Sequence, residues 1–183
     1  MQQAIVQTGL FPGRFQPFTN AHLERIKNIC RVHPDIKLCV LIGDVGELNK
    51  SNFLTVSERE FMINEVLQNN DLTDRVFVRH LKGADPETWV SSVLKTVHNL
   101  TIVFSDNPFV YQPFTKAGIH CEIHRRTGVN SCDLRTAPFE TWKDCVPKEV
   151  FEFIAKNKLY KRIQELEISE KYPFLTRENS ESF

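Results

Sequence analysis

Gly13, Arg14, Thr19 and His22 stand within ten residues of one another, directly after an apolar run, and together they can form a phosphate-binding site. Glycine lets a backbone approach an anion closely and arginine supplies a planar fork of N–H donors. Thr19 and His22 fall one helical turn apart, so both side chains address one spot. Such a set neutralises and aligns a phosphate chain and needs no covalent nucleophile. The same residues also fit a plainer description, a Pro/Gly-rich loop in which Thr19 caps a helix and His22 is satisfied locally.

The elements that must position them follow from periodicity. Ala4–Leu10 reads as a strand, and Leu23, Ile26, Ile29 and Cys30, at spacings of three and four, read as the apolar face of a helix over Ala21–Val32. The unpaired amides and positive dipole end of that helix then face the loop, where an anion docks readily. Further strands are expected at Lys37–Ile42, Arg75–Arg79, Leu100–Phe104 and His120–Ile123, alternating with helices at Val56–Asn69, Glu87–His98 and Phe109–Ala117. Alternation of this kind implies crossover connections and a parallel sheet. Thr55-x-x-Glu58 reads as a capping box, Asp85-Pro86 as a helix start and Gly118 as a helix stop. Two more helices are expected after Pro147, at Lys148–Lys156 and Tyr160–Glu170. Ligands in such sheets bind outside the carboxyl ends of the strands, so the loops after the first and fourth strands and the loop preceding Ser131 should build the site.

The chain of 183 residues, 41% hydrophobic, suffices for one sizeable core, read here as a single domain over 1–170 with a polar tail at 171–183. Its 23 basic and 23 acidic side chains cancel, which removes the global positive field that supports nonspecific nucleic-acid binding. Arg125-Arg126 remains open as either a phosphate contact or a solvated loop. The 5 cysteines are odd in number and lack C-x-x-C spacing, against both a disulfide framework and a structural zinc site and in favour of reduced thiols in the cytoplasm. His120 and His124 are four apart in a strand-like segment, about 13 Å from each other, too far to share a metal. No apolar run approaches the length of a membrane span, and the amino terminus has no signal-peptide pattern.

The Gly13–His22 stretch resembles the G-x-F-x-P-[HT]-x-G-H signature of the HIGH-type nucleotidyltransferases, and its Arg-Phe-Gln-Pro-Phe wording is most similar to the archaeal-type nicotinamide mononucleotide adenylyltransferases. Val129-Asn130-Ser131-Cys132-Asp133-Leu134-Arg135 is similar to the I-S-S-T-x-x-R segment that closes over the triphosphate. Phe53–Arg59, followed by Phe61, Met62 and Leu67, resembles the family's loop into its second helix, and Ser105–Pro108 its turn after strand four. The resemblance covers residues 4 to 160. Thr19 replaces a commoner histidine, Ala21 replaces glycine, and Asn130-Ser131-Cys132 carries two fewer hydroxyls than Ser-Ser-Thr. Thr136-Ala137-Pro138 stands where further arginines are frequent, a loss of charge that Lys50 could offset if it is more than a solvated lysine.

That resemblance implies a Rossmann-like α/β fold, a doubly wound parallel five-stranded sheet with C-terminal helices, carrying an ATP:nicotinamide-nucleotide adenylyltransferase. In it a mononucleotide phosphate oxygen attacks the α-phosphorus of ATP and pyrophosphate leaves. His22 would bind an α-phosphate oxygen and Thr19 a neighbouring one. Arg14 and Arg135 would clamp the triphosphate from opposite sides, with Ser131 and the backbone of Asn130 on the β- and γ-phosphates. Phe11, Gly13, Phe15 and Asp106 complete the implied ATP site. Magnesium would arrive on the phosphates, without a protein cage. Trp89 lies where these enzymes stack a tryptophan on the nicotinamide ring, yet Trp89, Val90, Val93, Leu94 and Val97 also make a helical apolar stripe that would bury it in the core. Lys82 and Asp85, in a preceding loop without the asparagine expected there, pull in opposite directions. Asp85 favours a neutral or cationic ring and Lys82 a carboxylate. Nicotinate mononucleotide, phosphopantetheine or a sugar or polyol phosphate thus stay open as acceptors, as does a non-catalytic nucleotide-binding module. Members of this family are commonly homo-oligomers, which is the assembly implied here.

Overall fold

In a computed structural model that describes residues 6–44, 46–83, 88–123 and 131–171, five parallel strands lie in the order β3-β2-β1-β4-β5. They are β1 (Gln7–Gly13), β2 (Ile36–Asp44), β3 (Val76–Lys82), β4 (Leu100–Phe104) and β5 (His120–Glu122). Helices α1 (Asn20–Val32), α2 (Val56–Gln68), α3 (Trp89–Thr96) and α4 (Pro108–Lys116) connect them in turn. A short α5 (Ser131–Thr136), a 3-10 turn at Phe139–Asp144, α6 (Lys148–Lys156) and α7 (Lys161–Lys171) follow. The chain builds outward from β1 to β3, then returns to lay β4 on the other side of β1, so the connections diverge between β1 and β4.

Strand alternation sorts the core into two layers. Leu38, Val40 and Ile42 of β2 face α1, α2 and α6, where Ile26, Ile29, Met62, Ile63, Val150 and Ile154 are buried. Cys39 and Leu41 face the opposite layer, against Val93, Val97 and Phe114. Burial pushes the Cys39 thiol up to about 12, so it behaves as a small apolar side chain. No helix among the described residues is long and apolar enough to cross a membrane.

The expected strands and long helices are present, with boundary differences that have physical causes. β1 runs to Gly13, because Phe11, Pro12 and Gly13 stay in register with Val40, Leu41 and Ile42 of β2. Pairing with β4 ends at Leu10↔Val103, so Pro12 lies where β1 has one strand neighbour, and its missing N–H is tolerated there. α3 stops at Thr96, ahead of the expected end at His98, as Val97 turns extended and Asn99 adopts φ 56 leading into β4. Gly118, at φ 77, ends α4 as expected. α5 and the 3-10 turn were not legible, since each is too short for an amphipathic period; Leu134 and Trp142 anchor them, 2% and 1% exposed. Ala4 and Ile5, the Asp85-Pro86 helix start, Arg125-Arg126, His124 and the polar tail from 172 lie outside the described residues.

The capping box at α2 forms as expected and does more. The Glu58 amide donates to Thr55 Oγ1 at 3.2 Å and the Thr55 amide donates to Glu58 Oε2 at 2.8 Å. Arg162 of α7 grips the same carboxylate with Nη1 at 2.8 Å from Oε2 and Nη2 at 2.9 Å from Oε1, and Nη1 also donates to the Phe53 carbonyl. Burial alone would push the Glu58 carboxyl up, but the Arg162 and Thr55 hydrogen bonds outweigh it and hold the group below its ordinary value. A carboxyl so depressed in the folded state contributes stability that is present above its unfolded pKa and is lost as pH falls through the folded one. Thermal unfolding followed from about pH 6 to about pH 3 should therefore show a steeper loss of Tm in the wild type than in Glu58→Gln, with the variant less stable at the upper end. Parallel curves would remove Glu58 from the acid-sensitive set.

Candidate functional site

A cleft of about 800 Å3 opens at the carboxyl ends of β1 and β4, where the chain connections part. One wall is the β1–α1 turn with Phe11, Gly13, Arg14, Phe15, Gln16, Thr19 and His22; the β4–α4 turn adds Ser105, Asp106 and Asn107. Ser131 and Arg135 of α5 and Trp89 of α3 also line it. The residues expected to hold ATP thus converge from β1, α1, the β4–α4 turn and α5. Asn130 and Asp85 lie outside the described residues, and neither Lys82 nor Lys50 is among the described residues that line the cleft. Lys82 ends β3 with an exposed side chain.

The β1–α1 turn is built by packing as much as by hydrogen bonds. A Cβ on Gly13 would come within 2.7 Å of the Phe15 ring, so any larger residue there would have to displace that buried ring. Phe15 itself takes φ 51, a left-handed conformation rare for an aromatic residue, and is only 2% exposed. Its ring meets the His22 imidazole edge-on at 5.1 Å, while Phe18 and Phe11 approach the same imidazole at 5.4 and 6.3 Å. Three phenyl rings therefore fix the imidazole plane.

Hydrogen bonding fixes its tautomer. The Thr19 amide donates to His22 Nδ1 at 2.9 Å, and Thr19 Oγ1 lies 2.9 Å from the same nitrogen. An amide can only donate, so Nδ1 is unprotonated and the ring proton of the neutral imidazole resides on Nε2. His22 thereby takes the place of the glutamate in a capping box, reaching back to the cap amide. This is the locally satisfied arrangement that the sequence also allowed. Thr19 is buried, 1% exposed, with its hydroxyl at the imidazole. The helix-start amides are also less available than a bare terminus would offer, since that of Thr19 goes to His22 and that of Asn20 donates to the Cys145 carbonyl at 2.9 Å. Positive charge in the cleft therefore comes chiefly from arginines.

Arg14 is exposed on the cleft wall. Across from it, Arg135 donates to the Gln16 carbonyl at 2.7 Å and Ser131 Oγ donates to the Pro17 carbonyl at 2.8 Å. The two motifs expected to meet over a triphosphate are thus already joined to each other. Trp89 reconciles its two possible roles. It packs edge-to-face on Phe114 at 5.0 Å, as a stripe residue should, and another part of it faces the cleft.

Sequence reasoning missed Gln16, Arg25 and Arg59. Gln16 is 1% exposed and clasps the Leu54 backbone, donating to its carbonyl at 2.8 Å and accepting from its amide at 2.9 Å. Arg25 lines the cleft one turn beyond Ala21 and His22, a spacing that could have flagged it. Burial draws its basicity down, while the Glu122 and Asp106 carboxylates work against that fall.

The family model described as cytidylyltransferase-like matches residues 10–163. A nicotinamide-nucleotide adenylyltransferase of Sulfolobus acidocaldarius is 31% identical over 86% of this chain and 94% of its own length. One from Archaeoglobus fulgidus is 28% identical over 85% and 95%. Among solved structures, a bifunctional NMN adenylyltransferase/ADP ribose pyrophosphatase from Francisella tularensis, complexed with AMP and a manganese ion, aligns with a TM-score of 0.68 at 19% identity. The alignment takes in 92% of this chain but 54% of that one, so the chain spans about half the length of the bifunctional protein. A Plasmodium falciparum nicotinic acid mononucleotide adenylyltransferase aligns with a TM-score of 0.61 at 14% identity, over 85% of this chain and 98% of that one. At those identities the structures speak for the shared fold, whereas the sequence matches run nearly end to end through both motifs of the cleft: the chain belongs to the cytidylyltransferase-like family and, within it, stands with the nicotinamide-nucleotide adenylyltransferases.

Proposed function

We propose that the protein joins ATP and nicotinamide mononucleotide to give NAD and pyrophosphate. The observation that carries this reading is that one cleft is lined together by Arg14, His22, Arg135 and Trp89. In the reaction a phosphate oxygen of the mononucleotide forms a bond to the α-phosphorus of ATP, and the bond from that phosphorus to the bridging oxygen breaks to release pyrophosphate. Charge accumulates on the α-phosphate oxygens and the leaving group. His22, with its proton on Nε2 and its ring fixed by Thr19 and three phenylalanines, is suited to donate a hydrogen bond to an α-phosphate oxygen without reorganising as charge develops. Arg14 and Arg135 neutralise the triphosphate, with Ser131 and the backbone at Asn130 beside the β- and γ-phosphates. Phe11, Gly13 and Phe15 shape the wall and Asp106 borders the nucleoside. Thr19 acts through His22.

Magnesium would ride on the triphosphate. Phosphate oxygens and water can supply most of the ligands that such a hard cation takes, and Arg14, Arg25 and Arg135 line the cleft where those phosphates would lie. The bound ion would offset charge on the β- and γ-phosphates as pyrophosphate departs. Trp89 would stack on the nicotinamide ring, a cationic ring over an indole face. The same reading takes residues 1–170 as one catalytic domain working as a homo-oligomer in the cytoplasm.

Pyrophosphate release with ATP and magnesium, measured against nicotinamide mononucleotide, nicotinate mononucleotide and phosphopantetheine, tests the reaction; silence with the first acceptor would overturn it. His22→Ala should lower kcat at least about tenfold while ATP affinity stays within a few-fold, the signature of an interaction that strengthens in the transition state. Unchanged turnover would strip His22 of that role. Trp89→Ala should raise KM for the mononucleotide several-fold with ATP affinity unchanged. A variant that loses Tm, because Phe114 is uncovered, yet keeps its KM would return Trp89 to the core.

A further inference from the structure

Arg59 is the most deeply buried charged side chain of the described residues, 2% exposed. The hydrogen bonds it makes among them all end on backbone carbonyls: Nε donates to Thr55 at 3.1 Å, and Nη1 donates to both Arg14 and Gly43 at 2.8 Å. One guanidinium thus ties together the turn after β1, the end of β2 and the cap of α2. A buried cation costs free energy, and carbonyl dipoles offset only part of that cost; a carboxylate would do so more fully. The nearest anionic influences, Asp44 and Glu58, act at longer range, and Glu58 is already engaged by Arg162. The cation that acts on it is Arg14, whose carbonyl it holds and whose side chain lines the cleft. Two like charges beside one turn destabilise each other until an anion arrives.

We propose that Arg59 is a positioning residue for the triphosphate: from beneath the β1–α1 turn it holds the Arg14 carbonyl, fixes the direction in which the Arg14 side chain meets the cleft, and adds a preorganised positive charge that bound polyphosphate relieves. This rests on the adenylyl-transfer reading. Arg59 touches neither substrate nor reacting atoms. Its contribution to binding therefore runs through Arg14 and through the field at the turn. Gln16 secures the same turn to Leu54 with neutral groups, so the charge of Arg59 is not needed merely to fasten the loop.

The test is calorimetric binding of ATP with magnesium, and separately of nicotinamide mononucleotide, to the wild type, Arg59→Met, Arg59→Lys, Arg14→Ala and the Arg14→Ala/Arg59→Met double variant, with Tm measured for each. Arg59→Met should weaken ATP at least about tenfold and leave the mononucleotide within about twofold, and Arg59→Lys should recover part of the loss. The double variant should lose less than the product of the single losses, because the two residues act as one unit. ATP affinity within twofold of wild type in either folded Arg59 variant overturns the assignment. Equal weakening of both ligands in step with Tm also overturns it, as that is what a purely structural arginine would do. If Arg59→Met does not fold, Arg59→Lys decides, with a three- to tenfold weaker ATP affinity expected at a Tm near wild type. A wild type that binds no ATP would sink the adenylyl-transfer reading and this role together, whereas intact wild-type binding with unaffected variants sinks this role alone.

Discussion

A turn that receives a polyanion must be fixed before the anion arrives, or binding energy is spent on ordering it. In this protein that constraint falls on Gly13–Thr19, and the rest of the fold can be understood as its support. The turn leaves β1 beyond the end of β4, carries a phenylalanine in a left-handed conformation, and is held by side chains on three of its backbone carbonyls and by its own Gln16 side chain. Arg59 takes the Arg14 carbonyl, Arg135 the Gln16 carbonyl, Ser131 the Pro17 carbonyl, and Gln16 reaches to Leu54. These contacts originate in α2, the loop just before it, and α5, all far from the turn along the chain. Phe15, an unfavourable conformer in isolation, persists because its ring is packed over Gly13 and against Phe18 and His22.

That arrangement trades free hydrogen-bond donors for rigidity. A bare helix terminus would offer several amides to a phosphate, yet two of the first at α1 are already bonded within the protein. What remains is a set of side chains with set directions. The imidazole of His22 is clamped in plane by aromatic rings and in tautomer by the Thr19 amide. Threonine at that position is consistent with this role, because its backbone amide does the work and its hydroxyl stays on the same nitrogen.

The second motif closes the same device. Ser131 and Arg135 sit on a helix of six residues whose own stability would be negligible in isolation. Leu134 buries into the main core, and the adjoining 3-10 turn drives Trp142 against Phe53 and Phe139. Phe139 is in turn stacked between Phe151 and Tyr160 at 4.8 and 4.3 Å. The C-terminal helices therefore hold α5 over the cleft, with Arg162 pinning α7 to the cap of α2.

Sequence alone determined the parallel α/β order, the Thr55–Glu58 capping box, the stop at Gly118 and the convergence of Gly13–His22 with Ser131–Arg135, because periodicity, local capping chemistry and motif wording are encoded over a few adjacent residues. It also named Trp89, while leaving open whether the ring belonged to the core or the ligand. In the structure the ring packs on Phe114 and Trp89 also lines the cleft. The Thr19 contact with His22, three residues on, is the local arrangement that the sequence had left open, whereas tertiary structure alone decided that Lys82 is not among the described residues lining the cleft and that Gln16 and Arg59 carry the turn. Those outcomes depend on partners 38 to 45 residues away along the chain or on which side of a strand end a residue falls. No local pattern records such pairings; they exist only once the sheet has brought the ends of β1 and β2 and the start of α2 to one place.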